Sequence, residues 1–150
     1  MPQSLVNQML HVVFSTKART KLITPDLADR LYPYLGGIAR KHNCRLLAVG
    51  GMPDHIHLLL SIAATLQLSK AVQLLKGNSS KWIRETFPEH HRFEWQRGYG
   101  AFSIGVGDFD RTVQYIHNQP RHHQNRSFED EYLAFVTKNS VPFDERYVFD

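Results

Sequence analysis

Residues 50–62 have the sequence GGMPDHIHLLLSI, which is a turn followed by an apolar run. The glycines, proline and aspartate of residues 50–54 predict the turn, and His55 to Ile62 is predicted to form a strand. Arg45 to Val49 precedes the turn and predicts a partner strand, so the two segments together indicate a β-hairpin. Because side chains alternate along a strand, the even-numbered apolar residues share one face, and His55 and His57 share the other.

The segments on either side of this hairpin predict further strands and helices. Gln8 to Ser15 is rich in β-branched and aromatic residues, which favours a first strand. Thr24-Pro25-Asp26 has the composition of a helix start, and the helix is expected to reach about His42, with a kink or break at Pro33. After the hairpin, a 3.6-residue apolar period from Leu66 to about Phe87 predicts a second helix.

The third quarter of the chain completes the predicted fold. Trp95 to Gly105 is short, aromatic and interrupted by glycines, and predicts a last strand with a bend. A third helix is expected from Asp108 to near His122. The order β-α-β-β-α-β-α predicts an α+β fold, namely a ferredoxin-like, RRM-like split βαβ antiparallel sheet with an additional C-terminal helix. One sheet face is expected to remain open, as in many nucleic-acid-binding modules.

Composition predicts a single folded domain over residues 1–150, with a core at about 5–125 and a short C-terminal extension at 126–150. Hydrophobic residues make up 42% and charged residues 21% of the chain, which excludes a disordered or low-complexity protein. No apolar run approaches the ~20 residues of a membrane helix, and no signal peptide is recognisable, so a cytoplasmic location is expected. Cys44 has no partner for a disulfide or a zinc finger and is expected in the core.

The two histidines of the predicted hairpin are candidates for metal binding. At positions i and i+2 of one strand, His55 and His57 can bind a single ion through neutral ring nitrogens. The alternative is a pair of half-exposed histidines without a ligand. Asp54 either accepts a hydrogen bond from one imidazole or is only a turn residue.

The predicted third helix carries a second set of polar residues. One face away from its apolar stripe holds Arg111, Tyr115, Gln119 and His122. A phenol at Tyr115 with an amide at Gln119 one turn later is an arrangement that brings a nucleophile close to a metal ligand. The alternative is a tyrosine that packs at an interface.

Taken together, Asp54-His55-Ile56-His57 and Tyr115-Ile116-His117-Asn118-Gln119 resemble the HUH and YxxxQ motifs of the single-tyrosine HUH transposases of small insertion sequences, the IS200-like transposases. The resemblance also covers Val12 to Lys17, Trp95 to Tyr99, and Ser103-Ile104-Gly105. The tail from Phe128 to Tyr147 is similar to the extension in the branch that includes the REP-associated tyrosine transposases.

The resemblance implies a DNA transposase that cleaves and rejoins single-stranded DNA next to hairpins through a covalent 5′-phosphotyrosine. Tyr115 would be the nucleophile, and His55, His57 and Gln119 would hold Mg²⁺ or Mn²⁺. The family also implies a homodimer in which the tyrosine helix can pack against the histidine pair of the partner. The link Gly105-Val106-Gly107 is flexible enough to permit such an exchange.

The net charge of +4 fits a polyanionic partner. DNA phosphates are expected to contact basic residues of the second helix and of the loop after the first strand, while Trp95 or Tyr99 either stacks on bases or belongs to the core. These basic candidates are Lys17, Arg19, Lys21, Lys70, Lys81 and Arg84.

Two other functions fit part of the sequence. A non-catalytic ferredoxin-like module that binds single-stranded DNA or RNA explains the charge and the open sheet face, but it leaves the joint occurrence of HxH and YxxxQ as an accident. A metal-dependent phosphoesterase that uses water requires carboxylates near the histidines, and Asp54 is the only acidic residue close to them in sequence.

Overall fold

The computed structural model describes residues 2–150 and contains a four-stranded antiparallel sheet. The strand order is β2-β3-β1-β4, and every neighbouring pair is antiparallel. This is the order of the split βαβ sheet, so the predicted fold class is confirmed. The strands are β1 Met9–Ser15, β2 Cys44–Met52, β3 His55–Ile62 and β4 Gly100–Ile104.

Two long helices, α1 Pro25–Lys41 and α2 Leu68–Thr86, cover one face of the sheet. Their apolar stripes pack on the even-numbered side chains of β3, as the strand alternation predicted. The expected break at Pro33 is wrong, because α1 continues through this exposed proline. The buried residues on either side of it, Leu31 and Leu35, hold both halves of the helix against the same core.

The opposite face of the sheet is covered as well, so the expected open face is wrong. Three helices lie in sequence after β4, and at least two of them pack on the sheet: α3 Phe109–His117, α4 Gln119–His122 and α5 Phe128–Lys138. Ile116 of α3 packs on an apolar patch of Met9, Ala48 and Leu59, and α5 packs on Val13. These apolar side chains on the second face are the physical reason for its burial.

The predicted third helix is interrupted at Asn118, between α3 and α4. Pro120 has no N–H to donate to the carbonyl of Ile116, so the regular hydrogen-bond ladder stops there. That carbonyl approaches Gly50 of β2 so closely that a Cβ at Gly50 would lie 2.2 Å from its oxygen. A glycine is therefore required at this position for α3 to reach the sheet.

Two other expectations concern the ends of the sheet. The last strand is shorter than predicted, because Trp95 lies outside β4 and makes only an isolated bridge to Thr16. Cys44 is buried at the start of β2, as predicted. Within residues 2–150, none of the helices has the length and apolar character needed to cross a membrane.

Candidate active site

The paired histidines of β3 lie on the sheet face covered by α3, α4 and α5. Both His55 and His57 are fully buried, so the alternative of two half-exposed imidazoles is wrong. Burial of two polar rings is costly unless every ring nitrogen has a partner. In this structure each of their four ring nitrogens has one.

A buried carboxylate lies at the centre of the group. Glu131 of α5 is fully buried, and its Oε1 lies 3.4 Å from Nε2 of His55 and 2.8 Å from Nε2 of His57. His123, which follows α4, places its Nε2 3.2 Å from the same oxygen. One ligand atom from each of these four residues lies within 4.8 Å of the others, which is a geometry that can hold a metal ion.

Gln119 belongs to the same group. Its Oε1 lies 3.2 Å from Nε2 of His55 and 3.0 Å from Nε2 of His123. Its amide nitrogen donates to the backbone carbonyl of Tyr115, 3.2 Å away, which fixes the amide oxygen toward the imidazoles. The structure therefore brings together all three residues predicted as metal ligands, although the helix expected to carry Gln119 is broken.

Tyr115 contacts this group through the shared carboxylate. Its hydroxyl donates a hydrogen bond to Oε2 of Glu131. The phenol ring stacks on His122, with ring centres 4.3 Å apart, and meets His57 edge-on at 5.8 Å. Burial and then the hydrogen bond to Glu131 raise the pKa of Tyr115, so the hydroxyl keeps its proton near neutral pH.

Burial and hydrogen bonds within the group together set the pKa values of Glu131, His55 and His57. Burial by itself raises the pKa of Glu131, but hydrogen bonds from His123, His55 and His57 hold it well below its usual range. Burial disfavours the charged form of His55, yet its bonds to Asp54 and Glu131 raise its pKa to about 9. Burial lowers the pKa of His57, which keeps that imidazole neutral.

The Nδ1 atoms of His55 and His57, which face away from the group, are also hydrogen-bonded. Nδ1 of His55 lies 2.7 Å from Oδ1 of Asp54, so Asp54 orients an imidazole in addition to forming the turn. Nδ1 of His57 lies 2.7 Å from Nε2 of His11, a buried histidine of β1. Burial lowers the pKa of His11 to about 3.

A cavity of about 270 Å³ opens beside Tyr115 and Glu131. Three cationic side chains line it: Arg111, Arg126 and Lys138. A phosphodiester that enters this cavity meets positive charge beside the phenol.

Three of the six basic residues predicted to contact DNA line one groove, and the other three do not. A groove of about 1000 Å³ beside α2 is lined by Lys17, Arg19 and Arg84, and three further cations line it without having been predicted: Lys76, Arg97 and Arg146. The other three candidates are exposed outside the groove lining: Lys21, Lys70 and Lys81. Four groove cations have acidic neighbours: Lys17 lies 2.8 Å from Glu94, Arg19 3.0 Å from Glu129, Arg97 3.4 Å from Asp150 and Arg146 2.7 Å from Asp144.

The two aromatic candidates for base stacking have different surroundings. Trp95 is buried, packs edge-on against Phe14 and Phe93, and donates its ring N–H to Ser79 at 3.0 Å. It is a core residue, so the stacking interpretation is wrong for Trp95. Tyr99 is half-buried and lines the groove.

Three residues of the site were not identified from the sequence: His11, His123 and Glu131. For Glu131 a signal is present, because it lies on the buried face of α5 beside Phe128 and Tyr132. A carboxylate on an otherwise apolar helix face is rarely buried without partners. No comparable signal marks His11 or His123.

Similarity to known proteins identifies the family. The family described as Transposase IS200 like matches residues 4–119. The ISDra2 transposase TnpA of Deinococcus radiodurans is 29% identical over 114 residues, which are 73% of this chain and 81% of that relative. The transposase of insertion sequence element IS200 of Salmonella typhimurium is 30% identical over 104 residues, 66% of this chain and 68% of that relative. The chain belongs to the IS200-like transposase family.

Two solved structures share the fold. One is the crystal structure of a Deinococcus radiodurans R1 protein assigned as a transposase, with a TM-score of 0.63 and 27% identity over 79% of this chain and 98% of that one. The other is a REP-associated tyrosine transposase bound to a REP hairpin, with a TM-score of 0.62 and 14% identity over 83% of this chain and 73% of that one. The family membership makes this chain a DNA-cleaving and rejoining enzyme of the transposase class.

Proposed function

We propose that this transposase cleaves and rejoins single-stranded DNA next to hairpins, with Tyr115 as the nucleophile. The observation that carries the proposal is the position of Glu131. One of its oxygens lies among the imidazoles of the metal-binding group, and the other accepts the hydroxyl proton of Tyr115. Covalent phosphoryl transfer requires a nucleophile and a site of positive charge at the same phosphate, and Glu131 joins the two.

The reaction is a reversible exchange of phosphodiester bonds. The Tyr115 oxygen forms a bond to the scissile phosphorus, the bond from phosphorus to the 3′-oxygen breaks, and that oxygen leaves with the electron pair. The phenol proton passes to Oε2 of Glu131 and is returned to the departing 3′-oxygen. The phosphotyrosine conserves the energy of the broken bond, so a second 3′-hydroxyl can attack it and rejoin the DNA without ATP.

The metal-binding group fits a divalent cation, for which we propose Mg²⁺ or Mn²⁺ held by His55, His57 and Gln119. His123 and Glu131 offer two more ligand atoms in the same space. When bound, the cation polarises the scissile phosphate and stabilises the charge that develops on its oxygens. A donor set rich in imidazole favours Mn²⁺ over Mg²⁺, which prefers oxygen ligands.

The groove beside α2 is proposed as the contact surface for the DNA hairpin. It is large, six basic side chains line it, and Arg19 links it to α5 through Glu129. The fold is shared with a transposase that was solved with a REP hairpin, which supports the same class of ligand here. Phosphate contacts from this groove would position the strand whose end enters the cavity beside Tyr115.

The family implies a site that combines the tyrosine helix of one subunit with the histidine pair of its partner. In this protein a second subunit is not needed to bring these residues together. Tyr115, Glu131 and the histidine pair converge within one chain, and Ile116 anchors α3 on the sheet of that chain. We therefore propose that a homodimer of this protein contains two sites, each formed by a single chain.

Incubation of the full-length protein with labelled single-stranded DNA from its own genomic flanks tests the proposed function. In Mn²⁺ we expect an SDS-stable adduct, with the DNA mapped by mass spectrometry to the peptide that contains Tyr115. EDTA should prevent the adduct. Tight hairpin binding without any adduct in Mn²⁺ or Mg²⁺ would instead support the non-catalytic binding module.

A further inference from the structure

His11 has a contact that neither the family motifs nor the proposed reaction explains. It lies on β1, which pairs with β3 so that His11 is opposite Leu59 and Val13 is opposite His57. The side chains of His11 and His57 are therefore on the same sheet face, with ring centres 5.0 Å apart. His11 is 4% exposed, and its Nε2 lies 2.7 Å from Nδ1 of His57.

This hydrogen bond restricts the position of the proton on His57. A neutral imidazole carries one proton, and a metal can bind only to the nitrogen that lacks it. Nε2 of His57 faces Glu131 and the other ligand atoms of the group, so Nε2 must be free of a proton to bind a cation. Without a cation, Nε2 of His57 donates to the Glu131 carboxylate 2.8 Å away. When a cation occupies Nε2, the proton must lie on Nδ1, and the neighbouring nitrogen of His11 must accept the hydrogen bond from it.

His55 and His57 thus have different hydrogen-bond partners at Nδ1. His55 donates to the carboxylate of Asp54, whereas the partner of His57 is a second imidazole. His11 is buried among aromatic rings, with Phe135 edge-on at 5.0 Å, and these surroundings favour its neutral form. A neutral acceptor orients His57 without adding a second carboxylate next to Glu131.

We propose that His11 is a positioning residue that orients His57 by accepting its Nδ1–H hydrogen bond and leaves Nε2 of His57 free to bind the divalent cation. The inference rests on the proposed metal-dependent function. Without the acceptor, the Nδ1–H that a metal-bound His57 requires would be buried and unpaired, so the proton would remain on Nε2 against Glu131 and the cation would bind less tightly.

The test compares three substitutions at one position. His11→Phe preserves the aromatic packing against Phe135 and removes the acceptor, and His11→Leu removes it with a different shape. His11→Gln supplies an amide oxygen at about the reach of the imidazole nitrogen. His117→Leu removes an exposed histidine of α3 and is the matched control. Thermal unfolding of each protein establishes that the variants compared are folded.

Two measurements read out the role of His11 without DNA cleavage. Titration calorimetry with Mn²⁺ should show an affinity lowered about 10–100-fold in His11→Phe and His11→Leu, the range for lost partners of metal-bound histidines. His11→Gln and His117→Leu should remain close to wild type. Nitrogen-15 NMR of wild type should place the His57 proton on Nε2, against Glu131, without metal and on Nδ1 when Mg²⁺ is bound, whereas His11→Phe should keep it on Nε2 at the same Mg²⁺ concentration.

The outcomes separate this inference from the proposed function. A folded His11→Phe or His11→Leu variant that binds Mn²⁺ as tightly as wild type overturns the role of His11, as does a wild-type His57 that stays protonated on Nε2 when Mg²⁺ is bound. If wild type binds neither Mn²⁺ nor Mg²⁺, the proposed metal dependence is wrong, and this outcome is distinct from metal binding by wild type that the His11 substitutions leave unchanged. Failure of His11→Gln to restore both readouts would show that ring packing, and not the acceptor, is what matters.

Discussion

The two faces of strand β3 are equally buried but contain different chemistry. Leu58 and Leu60 pack under α1 and α2, while His55 and His57 lie under the C-terminal helices, and all four side chains are 0% exposed. The first face gains free energy from apolar burial, and the second has its buried polar atoms hydrogen-bonded. Complete burial alone therefore does not distinguish an apolar core from the proposed reaction site. Substitutions on the apolar face should therefore lower the free energy of unfolding, and substitutions on the polar face should lower metal affinity or formation of the DNA adduct.

The largest effect is expected from Tyr115→Phe on the polar face. Only the phenol oxygen is removed, so the covalent DNA adduct should be abolished, while hairpin binding remains within a few-fold of wild type. The SDS-stable adduct and a gel-shift titration measure the two properties. A residual adduct in this variant would assign the nucleophile to another tyrosine.

A mixture of Tyr115→Phe and His57→Ala proteins tests whether one chain forms the whole polar face. In mixed dimers with sites formed by single chains, each chain keeps its own defect, and no adduct should form. Size tags on the two chains, with native mass spectrometry, establish that subunits have exchanged. If the adduct returns on the chain that carries His57→Ala, the tyrosine helix is exchanged between subunits.

On the apolar face, Leu60→Ala should act on stability. Loss of a fully buried leucine leaves a cavity, and the free energy of unfolding should fall by about 2–5 kcal/mol. Urea denaturation measures this change, and at temperatures where the variant is folded its Mn²⁺ affinity should remain that of wild type. A large loss of Mn²⁺ affinity in the folded variant would show that the two faces are coupled.

On the polar face, His57→Ala should act on metal affinity. The group loses one imidazole but retains His55, Gln119 and Glu131, so Mn²⁺ affinity and adduct formation should fall by at least about 10–100-fold. Excess Mn²⁺ should restore part of the adduct. Full activity of this variant in EDTA would exclude a metal role for the histidine pair.

The smallest effects are expected from single cations outside both faces. Arg84 lines the groove, whereas Lys81, on the same helix, is outside its lining. Arg84→Ala should weaken hairpin binding and reduce the slope of log affinity against log salt by about 1, and Lys81→Ala should change neither. Equal losses in the two variants would place the hairpin on a wider surface than the groove.

Local patterns in the sequence were sufficient for much of this molecule. The alternation in residues 55–62 correctly predicted which side chains of β3 face the helices and which two histidines lie together. The spacing from Tyr115 to Gln119 correctly placed both near one site, even though Pro120 breaks the helix between them. These predictions succeed because strand and helix periodicities depend on neighbours a few residues apart.

The sequence by itself thus determined the split βαβ fold of the sheet and the placement of His55 and His57 on one face of β3. Only the tertiary structure decided which residues complete the site: Glu131 is 74 positions from His57, and His11 is 46 positions from it. These contacts depend on the packing of α5 and on the register of β1 against β3, which no local period encodes. The apolar patch that covers the second sheet face is likewise assembled from separate strands, so its burial follows from packing and not from any single segment.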